Sequence, residues 1–342
     1  MARKKSVVTI GGGTGTHTIL KGLKHYQDQI DITAIVTMAD SGGSTGRLRD
    51  EFGILPIGDV RMALCALADD RGANELLLRD LFLYRFENGN GLSGHNLGNL
   101  LLTALTDILG EEAAAVSAAS SILRICGRVL PVTADDVHLV ATYDDQVVVE
   151  GEHAIDAPAA DRIGHRIVEL QTKPRASVTP EARAAILGAD LVVIGPGDLY
   201  SSLIANLVVD GVKEALCQTE ARLIFVSNLM ERSGQTEGMG VGDTVKEITA
   251  YAGRVPDAIL VNSAPLPPAL VAFYREKDGT KPVIDDLGEN LAADVVRADL
   301  LSAEERRQNA ADAVSRSLIR HDPDKLARAV IKVVNDDRRP AL

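Results

Sequence analysis

The chain has 342 residues, with 36 Lys and Arg against 48 Asp and Glu, a formal charge of -12 and 46% hydrophobic residues. That is enough apolar material for a large core, and it fits one large α/β domain or two closely joined ones. The acidic balance excludes a general nucleic-acid binder, whose footprint would be a basic face, but not a phosphate-bearing small ligand held locally by amides and a few arginines.

Val7-Val8-Thr9-Ile10 is short, β-branched and uninterrupted, as a buried parallel strand is. Glycines 11, 12, 13 and 15 follow, then a helical pattern through Ile19, Leu20, Leu23 and Tyr26, and a second strand at 32–38. Strand, loop, helix and strand open a doubly wound sheet. From about residue 60 to 126 there is little β character, and amphipathic stretches at 76–86, 97–109 and 113–125 predict helices covering the sheet. Residues 137–150 alternate around Tyr143-Asp144-Asp145-Gln146 and predict an antiparallel hairpin. The strand–loop–helix pattern then resumes. Leu191-Val192-Val193-Ile194 runs into Gly195-Pro196-Gly197 and a helix over about 202–216; strands at 223–226 and 258–261 flank a helix near 244–251. Residues 294–300 and 323–334 predict a closing strand and a terminal helix. With no repeat or long linker, 1–335 reads as one domain with an insertion at about 60–160, and 336–342 as a flexible tail. No run approaches the roughly 20 apolar residues of a membrane span, and the start leads into a strand, not a signal-peptide apolar region. Cys65, Cys126 and Cys217 are far apart and odd in number, as thiols of a reducing compartment are. A soluble, cytoplasmic protein is expected.

Chemistry-bearing residues gather where strands end. Gly11, Gly12, Gly13, Thr14 and Gly15 occupy a strand-to-helix turn, where amides and the helix dipole can hold an anion; the same glycines suit a tight packing turn. The dinucleotide fingerprint breaks at Thr16 and no Gly-Lys-Ser/Thr follows, which disfavours an NAD-dependent dehydrogenase and a Walker site. Asp40, Ser41, Gly42, Gly43, Ser44, Thr45, Gly46 and Arg47 form a second loop, rich in glycines and hydroxyls, that can surround an anion. Asp40 takes the place of a ribose acid and suits Mg²⁺ or a catalytic base equally. Arg47, Arg49 and Arg61 offer guanidinium groups for phosphate. Asp59 reads as a helix N-cap or a ligand contact. His95 suits phosphate donation or proton transfer, and Asn96 and Asn99 a sugar or base; a structural role is the other reading. The segment around Ser93 lacks the last glycine of a nucleophile elbow, so a serine hydrolase is poorly supported. Gly195, Pro196, Gly197, Tyr200 and Ser201 match the first loop in position, as ligand loop or rigid turn, and Asn228 lies on the same edge after the next strand. No histidine–cysteine cluster has metal-ligand spacing. Residues 131–161 hold eight acids and no Lys or Arg, whereas 39–61 hold four acids and three arginines. The negative charge is therefore expected at a solvated periphery, not in the cleft.

Gly-Gly-Gly-Thr-Gly at 11–15, Ala-Asp-Ser-Gly-Gly-Ser-Thr-Gly-Arg-Leu-Arg at 39–49, Gly-Asp-Val-Arg at 58–61, Gly-His-Asn-Leu-Gly-Asn at 94–99 and Gly-Pro-Gly-Asp-Leu-Tyr-Ser-Ser at 195–202 together resemble the gluconeogenesis factor (YvcK-like) family. Its distant relative is the 2-phospho-L-lactate transferase (CofD) of deazaflavin coenzyme biosynthesis. The resemblance implies an α/β fold with a Rossmann-like, doubly wound, mostly parallel sheet carrying a helical and β-hairpin insertion. It implies a cytoplasmic protein that binds a UDP-sugar such as UDP-N-acetylglucosamine and acts in cell shape and envelope synthesis during gluconeogenic growth, with a homo-oligomer and envelope-synthesis proteins as further partners. Under it, residues 11–15, 40–46, His95, Asn96 and the 195–202 loop line the nucleotide cleft. The alternative is a Mg²⁺-dependent phosphotransferase like the CofD enzyme, with Asp40 as metal ligand and catalytic group. Asp198 stands where the family usually has serine, and beside a diphosphate it requires an intervening cation.

Overall fold

The apolar run Val7 to Ile10 lies in β1 (Lys5–Gly11), an interior strand of a seven-stranded sheet in a computed structural model that describes residues 3–288, 291–303 and 318–336. All but the first residue of the expected tail lies outside that range. β1 leads into α1 (Gly13–Leu23) and back to β2 (Ile30–Val36), parallel to it. Five helices follow: α2 (Gly43–Phe52), α3 (Gly58–Leu67), α4 (Ala73–Leu83), α5 (Leu97–Leu109) and α6 (Glu112–Ile122). β3 (Arg128–Pro131) then returns to the sheet beside β2. Next comes a separate antiparallel sheet of β4 (His138–Tyr143), β5 (Val148–Glu150) and, after the one-turn helix α7 (Glu152–Asp156), β6 (Ile167–Lys173), in the order β5-β4-β6. α8 (Pro180–Leu187) feeds β7 (Leu191–Ile194), which pairs with the opposite edge of β1. A π-helical turn (Leu199–Ile204), α9 (Ala205–Leu207) and α10 (Val212–Gln218) lead to β8 (Arg222–Val226). α11 (Val241–Ala252), β9 (Ala258–Asn262), α12 (Pro268–Asp278), β10 (Asp294–Ala298) and α13 (Pro323–Val334) complete the order.

The large sheet runs β10-β9-β8-β7-β1-β2-β3, every pair parallel. Its strands are apolar on both sides. Val7, Ile32, Ala34, Val36 and Val193 face a core shared with α1, α3 and α13, while Val8, Ile10, Ile35, Val192 and Ile194 face one shared with α8, α10 and α11. Burial on both faces explains why these strands read as continuous apolar runs, not alternating ones. The fold is thus α/β and Rossmann-like, with the antiparallel sheet beside it.

Three local features differ from the sequence reading. β3 and β6 were not expected. β3 is a four-residue edge strand ending in Pro131, whose missing N–H an edge tolerates. In β6 the register shifts where Tyr143 pairs Ile167 and Thr142 pairs Glu169, so Val168 is an extra residue that breaks the period-2 pattern. The helix expected over 202–216 is interrupted, because Gly211 takes φ +95 ahead of α10. Among the described residues no helix is long and apolar enough to cross a membrane.

Candidate functional site

From β1 the chain builds β2 and β3 toward one edge, then crosses back to β7 on the other flank of β1, so the winding reverses between β1 and β7. Loops leaving two strands at such a reversal diverge and open a crevice beyond their carboxyl ends. The 11–15 turn and the 195–202 loop meet there. A Cβ on Gly15 would overlap the Pro196 carbonyl oxygen, so this approach requires glycine. Asn228, just after β8, fixes the second loop: Gly197 N–H donates to its Oδ1 at 3.1 Å, and its Nδ2 donates to the Gly197 carbonyl at 2.7 Å. Gly12, Gly13, Thr14, Gly15, Pro196, Gly197 and Asn228 line a cavity of about 430 Å³.

The N-terminus of α1 already faces an anion of the protein itself. The Gly13 amide donates to Asp59 Oδ1 at 2.8 Å, and a Cβ on Gly12 would overlap the other Asp59 oxygen. Asp59 is therefore not the N-cap of its own helix, a position held by Ile57; it meets the N-terminus of α1 from α3. Asp40, Asp59, Glu152, Asp156 and Asp198 line one adjoining cavity of about 230 Å³. Asp40 accepts from the Gly42 amide at 2.9 Å, yet burial raises its pKa. Burial, then the Asp40 charge, pushes Asp59 up to about 7. Glu152 is pushed up to about 9, first by burial and then by Asp40, Asp156 and Asp59. Burial lifts Asp198 to about 6 against the pull of Arg232, which lies 3.6 Å away and donates to Asp156 at 2.7 Å. Two hydroxyls in the same wall, Thr37 Oγ1 and Ser201 Oγ, are buried without a partner. Crowded carboxylates holding protons near neutral pH, beside unpaired hydroxyls, suit a hard cation with oxygen ligands.

Glu152 and Asp156 correct the expectation that the acids of 131–161 stay at the periphery. α7 brings both to the cleft, and the loop after β2 receives it: Ser41 Oγ accepts from His153 N–H at 3.0 Å, and Ser41 N–H reaches Glu152 Oε2 at 3.4 Å. Sequence reasoning passed over both, along with Thr37 and Arg232. The available signal was a carboxylate pair four residues apart, on one helical face, but five residues are too few to show a helical period.

The remaining candidates take different places. Gly42, Gly43, Ser44, Thr45, Arg61 and Asn99 line the acidic cavity with Asp40 and Ser201. Gly11, Ser41, Gly46, Arg47, His95, Asn96, Gly195 and Tyr200 line neither cavity. Arg47 donates to the Ser93 carbonyl at 3.2 Å on the outer flank. Arg61 is buried, donating from Nε to Asn99 Oδ1 at 2.7 Å and from its fork to the Phe82 carbonyl at 3.3 Å. Asn99 in turn donates to Ser44 and Thr45, and Ser44 Oγ is 3.2 Å from His95 Nδ1. Burial, and secondarily Arg47, lowers the His95 pKa, which favours the uncharged ring. Tyr200 is buried and donates to the Ile167 carbonyl at 3.2 Å. Of these side chains, Arg61, Asn99, Ser44, Thr45 and His95 form a hydrogen-bonded lattice that holds the 40–46 loop. Away from the cleft, Asp144, Asp145 and His165 bring three donor atoms within 4.8 Å of one another near the turn after β4. There Arg162 already holds Asp145 at 2.8 Å.

The family model for 2-phospho-L-lactate transferase CofD matches residues 7–301. The gluconeogenesis factor of Bacillus subtilis is 37% identical over 340 residues, 98% of this chain and 100% of that one. The gluconeogenesis factor of Halalkalibacterium halodurans is 44% identical over 287 residues, covering 83% and 85%. A crystal structure of a upf0052 family member from Bacillus halodurans superposes with a TM-score of 0.85 at 37% identity, over 97% of this chain and 100% of that one.

Proposed function

The chain belongs to the gluconeogenesis factor family within the CofD group, and from that footing we propose that it is a cytoplasmic nucleotide-sugar-binding regulator. Its ligand is a UDP-sugar of the UDP-N-acetylglucosamine type, and its role lies in cell shape and envelope synthesis during gluconeogenic growth. The observation that carries the proposal is the crevice where the winding reverses, closed on one side by the 11–15 turn and on the other by the 195–202 loop. Thr14 and Gly15 offer backbone to a diphosphate, while Leu229, Tyr274 and Ile319 supply an apolar wall in the same cavity.

The carboxylates set a condition on this reading. A diphosphate beside Asp40, Asp59 and Asp198 is repelled unless a cation stands between them. Mg²⁺ fits the donors: it prefers oxygen, keeps several waters, and binds through one or two carboxylates plus substrate phosphates. Asp40 and Asp59 would hold it, and it would neutralise phosphate charge. The same set supports a second reading, a phosphotransferase in which Asp40 assists group transfer.

Titrating the protein with UDP-N-acetylglucosamine, GDP and NAD, with and without Mg²⁺, separates the readings. We expect saturable heat with the uridine nucleotide, strengthened by Mg²⁺. Absence of any heat or melting shift with uridine nucleotides overturns the first reading. Turnover of a GDP-linked phosphodiester that disappears in Asp40→Asn promotes the second.

A further inference from the structure

We infer that Arg232 is the counter-charge of the ligand's diphosphate, and that Asp198 competes with the ligand for it. This rests on the nucleotide reading above and adds which side chain clamps the phosphates and what restrains that clamp.

A diphosphate in the central cavity needs a cation, and the arginines that neighbour the glycine loops in sequence do not supply one there. Arg47 reaches the Ser93 carbonyl on the outer flank, and Arg49 is buried against Asp136 and the Val137 carbonyl. Arg61 is buried against Asn99 and the Phe82 carbonyl and lines the acidic cavity instead. Among the described residues, the lysines and arginines lining the central cavity are Arg232 and Arg320. Arg320 belongs to the wall shared with a third cavity, of about 250 Å³, beside α1 and α13. Arg232 is tied to the crevice itself.

Its backbone heads a tight turn after β8. The Arg232 amide donates to Thr236 Oγ1 at 2.8 Å, and its carbonyl accepts from the Thr236 amide at 2.9 Å. Gln235 in that turn accepts from the Tyr200 amide at 3.3 Å, which joins the turn to the 195–202 loop. The side chain is less constrained than the backbone, with 33% of it exposed. Nη2 donates to Asp156 Oδ2 at 2.7 Å and to the Asp156 carbonyl at 3.3 Å. Nε lies 3.6 Å from Asp198 Oδ1, near enough to attract but too far for a hydrogen bond. Nη1 has no hydrogen-bond partner among the described residues.

A guanidinium held along one edge with its other end open suits a phosphate, which accepts two of its N–H groups in parallel. The two acids hold it unequally. Asp156 takes two hydrogen bonds and is 18% exposed, whereas Asp198 is 40% exposed and holds the arginine by charge alone. Asp198 is therefore the partner that a phosphate can displace. With both carboxylates beside it, the arginine's charge is more than matched, and a diphosphate meets net repulsion. Neutralising or removing the Asp198 charge leaves the arginine to the phosphate.

The test is calorimetric titration of the full chain with UDP and UDP-N-acetylglucosamine, in chelator and in Mg²⁺. Arg232→Ala is expected to weaken UDP binding roughly tenfold or more. Arg232→Lys, which keeps the charge without the fork, is expected to recover part of the loss. Asp198→Asn, nearly isosteric, is expected to tighten UDP about threefold or more in chelator. That gain is expected to shrink when Arg232→Ala is also present, because the acid acts through the arginine. Melting curves of the free variants show whether each folds, and Arg232→Gln, which keeps a donor for Asp156, reads the lost charge if the alanine variant does not. Wild-type affinity for UDP in Arg232→Gln or a folded Arg232→Ala overturns the inference while leaving the nucleotide reading standing. So does an Asp198→Asn variant that binds UDP no more tightly than wild type, or whose gain is the same with and without the arginine. Absence of saturable binding of both uridine ligands by the wild type overturns the nucleotide reading and the inference with it.

Discussion

At Gly15 a hydrogen stands where any other residue carries a Cβ, and the Pro196 carbonyl fills the space. Gly15→Ala must push the two crevice loops apart. It is expected to cost about 2 kcal/mol, in the range for overpacking a tight site, and to abolish nucleotide binding. Urea unfolding and ligand titration check the two effects, and a variant that binds normally refutes the role of that contact. Asp59 illustrates a different limit of sequence reading. Its place in the first turn of α3 was legible, and capping was a sound reading of its type, but the amide it caps belongs to Gly13, 46 residues away. No local pattern reports such a partner.

Among the elements, α5 carries its own start signal. Asn96 Oδ1 accepts from the Asn99 amide at 3.2 Å, and Asn96 Nδ2 donates to the Leu83 carbonyl at 3.1 Å. Asn96→Ala is expected to lower stability by about 1 kcal/mol through the lost cap, and somewhat more through the orphaned Leu83 carbonyl. A shifted urea midpoint at unchanged slope would show it; an unchanged midpoint would refute it. Long elements with a clear period, such as α1, α5 and α13, were legible, as were the buried strands β1 and β7. α7, β3 and β6 were not. The first is one turn, the second four residues, and the third carries an extra residue, so none repeats its period often enough to show.

For the whole molecule, the charge of -12 is not confined to the periphery, because α7 adds Glu152 and Asp156 to the acids of the cleft. The pH dependence of stability follows. Asp59, Glu152 and Asp198 have folded pKa values raised to about 7, about 9 and about 6. Above the ordinary carboxylate range of roughly 4, the native chain holds protons that the unfolded chain has released, so stability falls as pH rises toward each folded value. In chelator, the melting temperature is expected to fall between about pH 4 and pH 9, and Glu152→Gln to flatten the upper part of that slope. A variant with the wild-type slope would refute the assignment. A bound cation competes with the same protons, so stabilisation by added Mg²⁺ is expected to grow with pH.

The sequence by itself determined the α/β class, the parallel strands and the loops at their carboxyl ends. Each is written in contiguous residues: a run buried on both faces, a glycine turn, a polar loop before a helix. It also placed Asp40, Asp59 and the two glycine-rich loops among the candidates. Only the tertiary structure decided that the anion site of α1 is met by the protein's own Asp59, that Glu152 and Asp156 join it, and that Arg232 lines the central cavity beside Asp198. Those relations depend on strand order and on which helix docks over which loop. They join residues far apart in the chain, and the pKa shifts follow from burial that no single segment produces alone.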